Sequence, residues 1–90
     1  MLKVFKYSVL FDDYFIIDLP LRAKILNVDM QGSKLVLWAL VNPEFPTKER
    51  RFRLAGTGHL IEEDTTQLEY INSFKMQGGT FIFHVFEISY

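Results

Sequence analysis

The chain has 90 residues, no cysteine, 49% hydrophobic and 16% aromatic residues, and ten basic against eleven acidic side chains. That length fits one domain, spanning 1–90, and that apolar content excludes intrinsic disorder. The absence of cysteine excludes disulfides, thiolate catalysis and Cys-based zinc sites; the balanced charge argues against a generic nucleic-acid binder, which needs basic excess to displace counterions.

The apolar periodicity is close to two, the period of a strand. Phe5, Tyr7, Val9 and Phe11 share one parity, while Lys6 and Ser8 take the other. Phe11-Asp12-Asp13-Tyr14 supplies a turn, Phe15 to Leu19 forms a second strand, and Pro20 ends it because proline cannot donate to a ladder. Together these segments predict an N-terminal β-hairpin. Lys3 and Lys6 interrupt the first apolar stretch, which therefore does not fit a secretory signal. The longest uncharged apolar run, Leu35 to Val41, falls far short of the roughly 20 residues that span a bilayer. A soluble, cytoplasmic protein with no membrane partner is the expectation.

Lys24 to Gln31 and Lys34 to Val41 flank Gly32-Ser33, and glycine at the first central position favours a type II′ hairpin turn. That register sets Leu26 against Ala39, Val28 against Leu37 and Met30 against Leu35 on a wholly apolar face, expected to be core. Ile25 with Leu40, Asn27 with Trp38 and Asp29 with Val36 occupy the other face. Asn42-Pro43 through Pro46-Thr47 is a loop. A strand follows from about Glu49 to Ala55, with Phe52 and Leu54 on one face and Arg51 and Arg53 on the other. Gly56-Thr57-Gly58-His59 breaks it, and the acidic stretch Ile61 to Gln67 is a loop that admits one helical turn near Asp64, since Asp64 and Gln67 resemble a capping box. A last hairpin joins Leu68–Gln77 to Thr80–Ile88 through Gly78-Gly79, pairing Met76 with Phe81 and Phe74 with Phe83 on one face. Ile71 with Phe86, Ser73 with His84 and Lys75 with Ile82 fall on the other. The final strand is apolar on both faces, as in a central strand or one covered by a second subunit. The whole predicts an all-β domain, an antiparallel sandwich or partly open barrel of about seven strands, expected to assemble as a homo-oligomer.

Few residues carry recognisable chemistry. Gly56-Thr57-Gly58-His59 could turn backbone N–H groups toward an anion, or serve as a tight turn that needs glycine. Lys48, Arg50, Arg51 and Arg53 form a basic cluster, and Arg51 and Arg53 share a face from which they could clamp a phosphate or carboxylate, or merely solvate it. His59 and His84 lie in no metal-ligand pattern, so no metal or cofactor is expected. Ser73 opposite His84 lacks the strained elbow and oxyanion glycine of a nucleophilic site. Trp38 with Asn27 and Asp29 could stack a flat ligand, or be buried in a sheet or a homo-oligomer interface. Val36, Trp38, Leu40, Ile82, His84 and Phe86 are the candidate interface residues, because a small domain with two-faced apolar strands gains by hiding them against a copy of itself.

Several blocks in order are similar to a family of short phage and prophage proteins of unknown function. They are Lys6-Tyr7, Leu19-Pro20, Ala23-Lys24-Ile25-Leu26, Leu37-Trp38-Ala39-Leu40-Val41, Arg51-Phe52-Arg53, Gly56-Thr57-Gly58-His59 and Phe83-His84-Val85-Phe86-Glu87. The resemblance spans nearly the whole chain and brings no activity, ligand or catalytic residue. It implies a gene of a phage or integrated element, expressed inside a bacterium, where such small proteins often bind and neutralise host factors, including defence proteins and their nucleotide signals.

The expectation is therefore a non-enzymatic binding protein that inhibits a host protein through a surface rich in aromatics and arginines. A second reading is a sponge for a small anionic ligand such as a cyclic or linear nucleotide. There Arg51, Arg53, Thr57, Gly58 and His59 would hold phosphate and Trp38 would stack a base across a subunit interface. A small enzyme is the least supported reading, for want of a metal pattern, a thiol or an acid–base pair.

Overall fold

Alternation along the chain produces seven strands: β1 (Lys3–Val9), β2 (Tyr14–Pro20), β3 (Lys24–Gln31), β4 (Lys34–Val41), β5 (Thr47–Gly56), β6 (Leu68–Met76) and β7 (Phe81–Ile88). The structure, a computed structural model, describes residues 1–89. The strands form two antiparallel sheets, one ordered β1-β4-β3 and the other β2-β5-β7-β6. The shortest extent of the molecule is 16 Å, the thickness of two layers packed about 10 Å apart. This is a small β-sandwich, as the periodicity predicts. Among the described residues no helix is long and apolar enough to cross a membrane.

The core lies where the apolar parities of the two sheets face each other. Val28, Leu35, Leu37, Ala39 and Val41 come from the three-stranded sheet, and Phe15, Leu19, Phe52, Leu54, Phe74 and Val85 from the four-stranded one. Phe15 and Phe52 stack at 4.9 Å between centroids, and Phe74 and Phe83 at 5.7 Å. β7 is a central strand, which accounts for its apolar character on both faces.

The N-terminal segments do not form a hairpin. β1 pairs with β4 and β2 with β5, so the corner at 10–13 carries the chain from one sheet to the other. A two-stranded ribbon would leave both apolar parities uncovered. Splitting the pair lets Tyr7 and Val9 of one sheet and Phe15 and Leu19 of the other reach the same core.

The two glycine hairpins keep the expected register near their turns and lose it farther out. Gln31↔Lys34 through Asn27↔Trp38 pair as predicted; a bulge then leaves Leu26 over, so Ile25 faces Ala39 and Lys24 faces Leu40. Leu26 is consequently exposed rather than core. In the last hairpin Met76↔Phe81 through Ser73↔His84 pair as predicted, but a bulge at Ile71 puts Tyr70, not Ile71, opposite Phe86. Its turn is closed by the Thr80 N–H on the Gln77 carbonyl at 3.3 Å and is left-handed, with Gln77 at φ 49°, Gly78 at φ 66° and Gly79 at φ 95°. A 3₁₀ turn, Thr65–Gln67, lies where the capping pattern predicts one, and the Gln67 side chain accepts from the Asp64 N–H at 3.1 Å.

The two bulges sit on β3 and β6, edge strands of different sheets that lie side by side. Between them the Asn72 carboxamide substitutes for a strand residue. Its Oδ1 accepts from the Val28 N–H at 2.9 Å and its Nδ2 donates to the Val28 carbonyl at 2.8 Å. Val28 keeps its place opposite Leu37, and the amide satisfies the N–H and carbonyl that Val28 turns to the outer edge of β3. The opposite side has no such seam, and β1 and β2 both end there as free edges.

Near the turn between β2 and β3, an ion pair closes the end of the core. Arg50 Nε and Nη2 donate to the two Glu87 carboxylate oxygens, each at 2.6 Å, and Nη1 donates to the Ala23 carbonyl at 2.5 Å. This fork geometry is the bidentate pairing that guanidinium favours.

Asn72→Ala removes both bonds of the seam and leaves two partly buried backbone groups at Val28 without partners. The expected cost is about 2–3 kcal/mol, read as a lower urea midpoint at unchanged slope. Ser73→Ala next to it, on the exposed parity, is expected to shift stability by no more than about 0.5 kcal/mol.

Candidate functional site

The basic strand β5 divides its cations by parity. Arg50 points to the core side, where Glu87 takes it. Arg53 points to the other broad face but is only 5% exposed, because the connection 57–67 crosses that face as a strap. Arg53 holds the strap down: Nη2 donates to the Leu60 carbonyl at 2.8 Å, and Nη1 to the carbonyls of Leu54 at 3.0 Å and Asp13 at 3.2 Å. Its guanidinium also lies 5.1 Å from the centre of the Tyr14 ring. Arg51 remains exposed, 3.2 Å from Glu49. Arg51 and Arg53 share a parity as predicted, yet their guanidiniums are not offered together as one clamp.

Gly56-Thr57-Gly58-His59 is a closed turn. The His59 N–H donates to the Gly56 carbonyl at 3.0 Å, and Gly58, at φ 89°, takes the third position where a type II turn favours glycine. The Gly56 N–H donates to His59 Nδ1 at 3.1 Å and the Thr57 N–H to the Ile82 carbonyl at 3.1 Å. Three of the four N–H groups are thus used internally, and the segment presents no cradle of donors. Gly56 is required for a different reason: a Cβ there would stand 2.8 Å from His59 Cε1. His84 Nε2 lies 2.8 Å from Thr57 Oγ1, which fastens the strap's first residue to β7.

Trp38 is half-buried on the outer face of the three-stranded sheet, flanked in the ladder by Lys6 and Asn27. The sandwich separates it from Arg51, Thr57 and Gly58, so within one chain it cannot stack on a ligand they hold. The six candidate interface residues divide likewise. Val36, Trp38 and Leu40 lie on one broad face, with Val36 fully buried beside Ser8 and Asp29; Ile82, His84 and Phe86 lie on the opposite one. They do not form one surface.

The strap has a second anchor. Tyr14 donates its hydroxyl hydrogen to Glu63 Oε2 at 2.7 Å. That bond, followed by desolvation and the Glu63 charge, raises the phenol pKa above the usual tyrosine range, and nearby Arg53 opposes the shift.

What the structure leaves uncovered is the side opposite the Asn72 seam. Here β1 and β2 offer unpaired backbone groups; beside them Leu10, in the corner, is 68% exposed, and Val4 and Ile16, on the outer faces of the two different sheets, are each 57% exposed. Phe5, on the core parity of β1, is still 37% exposed, so the interior opens toward solvent there. The only charges on β1 are Lys3 and Lys6, the latter reaching across β4 to Gln31 Oε1 at 3.0 Å. Sequence reasoning passed over this side because the expected hairpin would have paired β1 with β2 along the edges that stand open here. It also passed over Asn72, whose one signal was a polar residue on the parity of Phe74 and Met76.

Arg53→Ala removes the guanidinium bonds to three carbonyls, of which that of Asp13 keeps the Leu54 N–H at 2.8 Å, and frees the strap at Leu60; the expected loss is about 2–4 kcal/mol of unfolding free energy. Arg51→Ala, on an exposed side chain, is expected to stay within about 0.5 kcal/mol in the same denaturation series. The raised Tyr14 pKa means the folded state keeps a proton that the unfolded state releases. The stability this contributes is complete below the ordinary tyrosine value of about 10 and is lost as pH rises through the folded value. Melting temperatures should therefore fall as pH climbs above about 10, with a smaller fall in Tyr14→Phe.

Residues 1–89 match a family described as a domain of unknown function (DUF7352), and the chain belongs to that family. No curated protein and no solved structure matches it.

Proposed function

We propose that this chain is a binding protein rather than an enzyme, that it works by docking a protein partner along its open side, and that the partner is a host protein it inhibits. One observation carries the reading: two edge strands, β1 and β2, end on the same side with their backbone groups unpaired, with Val4 and Ile16 exposed beside them on the two opposite broad faces and Leu10 exposed at the corner between. Sandwich proteins usually protect such edges, because an unpaired edge is a template for another strand. A strand added there gains main-chain hydrogen bonds, and its alternate side chains find the apolar positions already present. The resemblance to short phage proteins supplies the host as the source of the partner.

Charge indicates the partner's chemistry. β1 carries Lys3 and Lys6 and no acidic residue. Pairing β1 with β1 of a second copy would bring like charges together, whereas an extended segment with acidic residues interspersed among apolar ones complements it. The protein partner thus presents an acidic, strand-forming segment.

The test is co-purification from a host lysate, followed by light scattering on the isolated complex. The wild type should hold one protein in fixed stoichiometry. Val4→Asp combined with Lys6→Glu, both exposed changes, should weaken that complex at least about tenfold without altering the fold, and Arg51→Ala should leave it intact. A complex indifferent to the double change would overturn the reading, as would a particle containing only this chain, its edges occupied by its own copies.

A further inference from the structure

At the end of the sandwich where β2 turns into β3, a cleft of about 720 Å³ opens between that turn and the start of β5. Its walls include Leu21, Arg22, Lys48, Arg50, Glu69 and Glu87. Two ion pairs form among the charges there, Arg50 with Glu87 and Arg51 with Glu49, which among the described residues leaves the cations Arg22 and Lys48 and the carboxylate Glu69 outside any pair. Arg50 is saturated by both oxygens of Glu87 and by the Ala23 carbonyl. Arg51 has Glu49 at 3.2 Å. Glu69 lies opposite Glu87 on the neighbouring strand and acts on Arg50, whose pKa it helps to raise after the larger effect of the Glu87 bond. Among the described residues Arg22 and Lys48 have no ion pair.

Arg22 stands in a conformation that arginine does not favour. It is the third residue of a turn closed by the Ala23 N–H on the Pro20 carbonyl at 3.1 Å, and its φ is 66°. Glycine is the ordinary occupant of that position, since a Cβ is strained there. The turn is not free to relax, because the Leu21 N–H donates to the Pro46 carbonyl at 2.9 Å and Pro20 pairs with Thr47 at the start of β5. That same pairing sets Lys48 opposite Leu19, beside the turn. A strained residue kept at the mouth of a cleft points toward what its side chain does. Here the side chain supplies a guanidinium.

We propose that this cleft binds a small oxyanion, a phosphate or carboxylate group, held between Arg22 and Lys48 above the fixed Arg50–Glu87 pair. Arg22 provides a planar fork of donors suited to two oxygens at once, and Lys48 a mobile point charge. The rigid pair beneath them keeps the cleft open without competing for the ligand, since its donors are already used. The site is separate from the open β1/β2 side, so each proposal stands or falls alone.

The experiment is a thermal melt of the full chain titrated with pyrophosphate and, separately, with citrate, at constant ionic strength and with sodium chloride as control. The wild-type Tm should rise saturably with at least one of the two, by roughly 10 °C at a hundredfold excess over Kd. Arg22→Gly separates function from folding: it should raise the ligand-free Tm by relieving the strain and at the same time abolish the ligand-dependent rise. Lys48→Gln should leave the ligand-free Tm unchanged and weaken binding at least about tenfold. Saturation by pyrophosphate alone assigns a phosphate site, and by citrate alone a carboxylate site. No saturable rise with either, or an equal rise in Arg22→Gly, would overturn the proposal.

Discussion

A buried strand edge exposes an amide hydrogen and a carbonyl that both need partners, and at Val28 one carboxamide satisfies the two. The rest of the architecture follows from that contact. Because Asn72 stitches β3 to β6, the two sheets meet along one side only, and the wider sheet reaches past the narrower one on the other. Three strands cannot cover four. The free edges at β1 and β2 lie on the side away from the seam.

Arginines on one strand meet three different ends. Arg50 becomes part of the wall through Glu87, Arg53 becomes the underside of a loop, and Arg51 stays at the surface. Adjacent in sequence, they read as one basic cluster; strand parity and a crossing loop make them three separate features. Burial of Arg53 is tolerated because three carbonyls and an aromatic face surround its charge.

Much of the fold was legible because local signals decided it. Gly32-Ser33 and Gly78-Gly79 positioned two hairpins, and their register could be followed until a bulge intervened at Leu26 and at Ile71. Neither bulge has a glycine or proline to announce it; both flank the contact of Asn72 with Val28, which joins strands distant in sequence. The corner at Asp12-Asp13 looked like a hairpin turn since turn residues do not reveal whether the chain stays in its sheet. The same limit applied to the sites. Gly56 to His59 was visible as a motif, but whether its N–H groups face a ligand or each other depends on Ile82, and the left-handed Arg22 depends on Pro46. Nothing in the residue types of positions 20–23 foretells it.

The split of the first two strands between sheets also has a consequence for how the chain is made. β1 and β2 leave the ribosome before β4 and β5, the only strands either will pair with. Through that interval an apolar leader containing Phe5, Phe11, Phe15 and Ile16 has no ladder to join and no core to enter. Long-range pairing of this kind is slow, and unpaired apolar strands aggregate while they wait. Lys3, Lys6, Asp12, Asp13 and Asp18 punctuate that stretch with charge. In the finished protein they sit at the periphery; in the nascent one they keep the first strands apart from those of neighbouring chains.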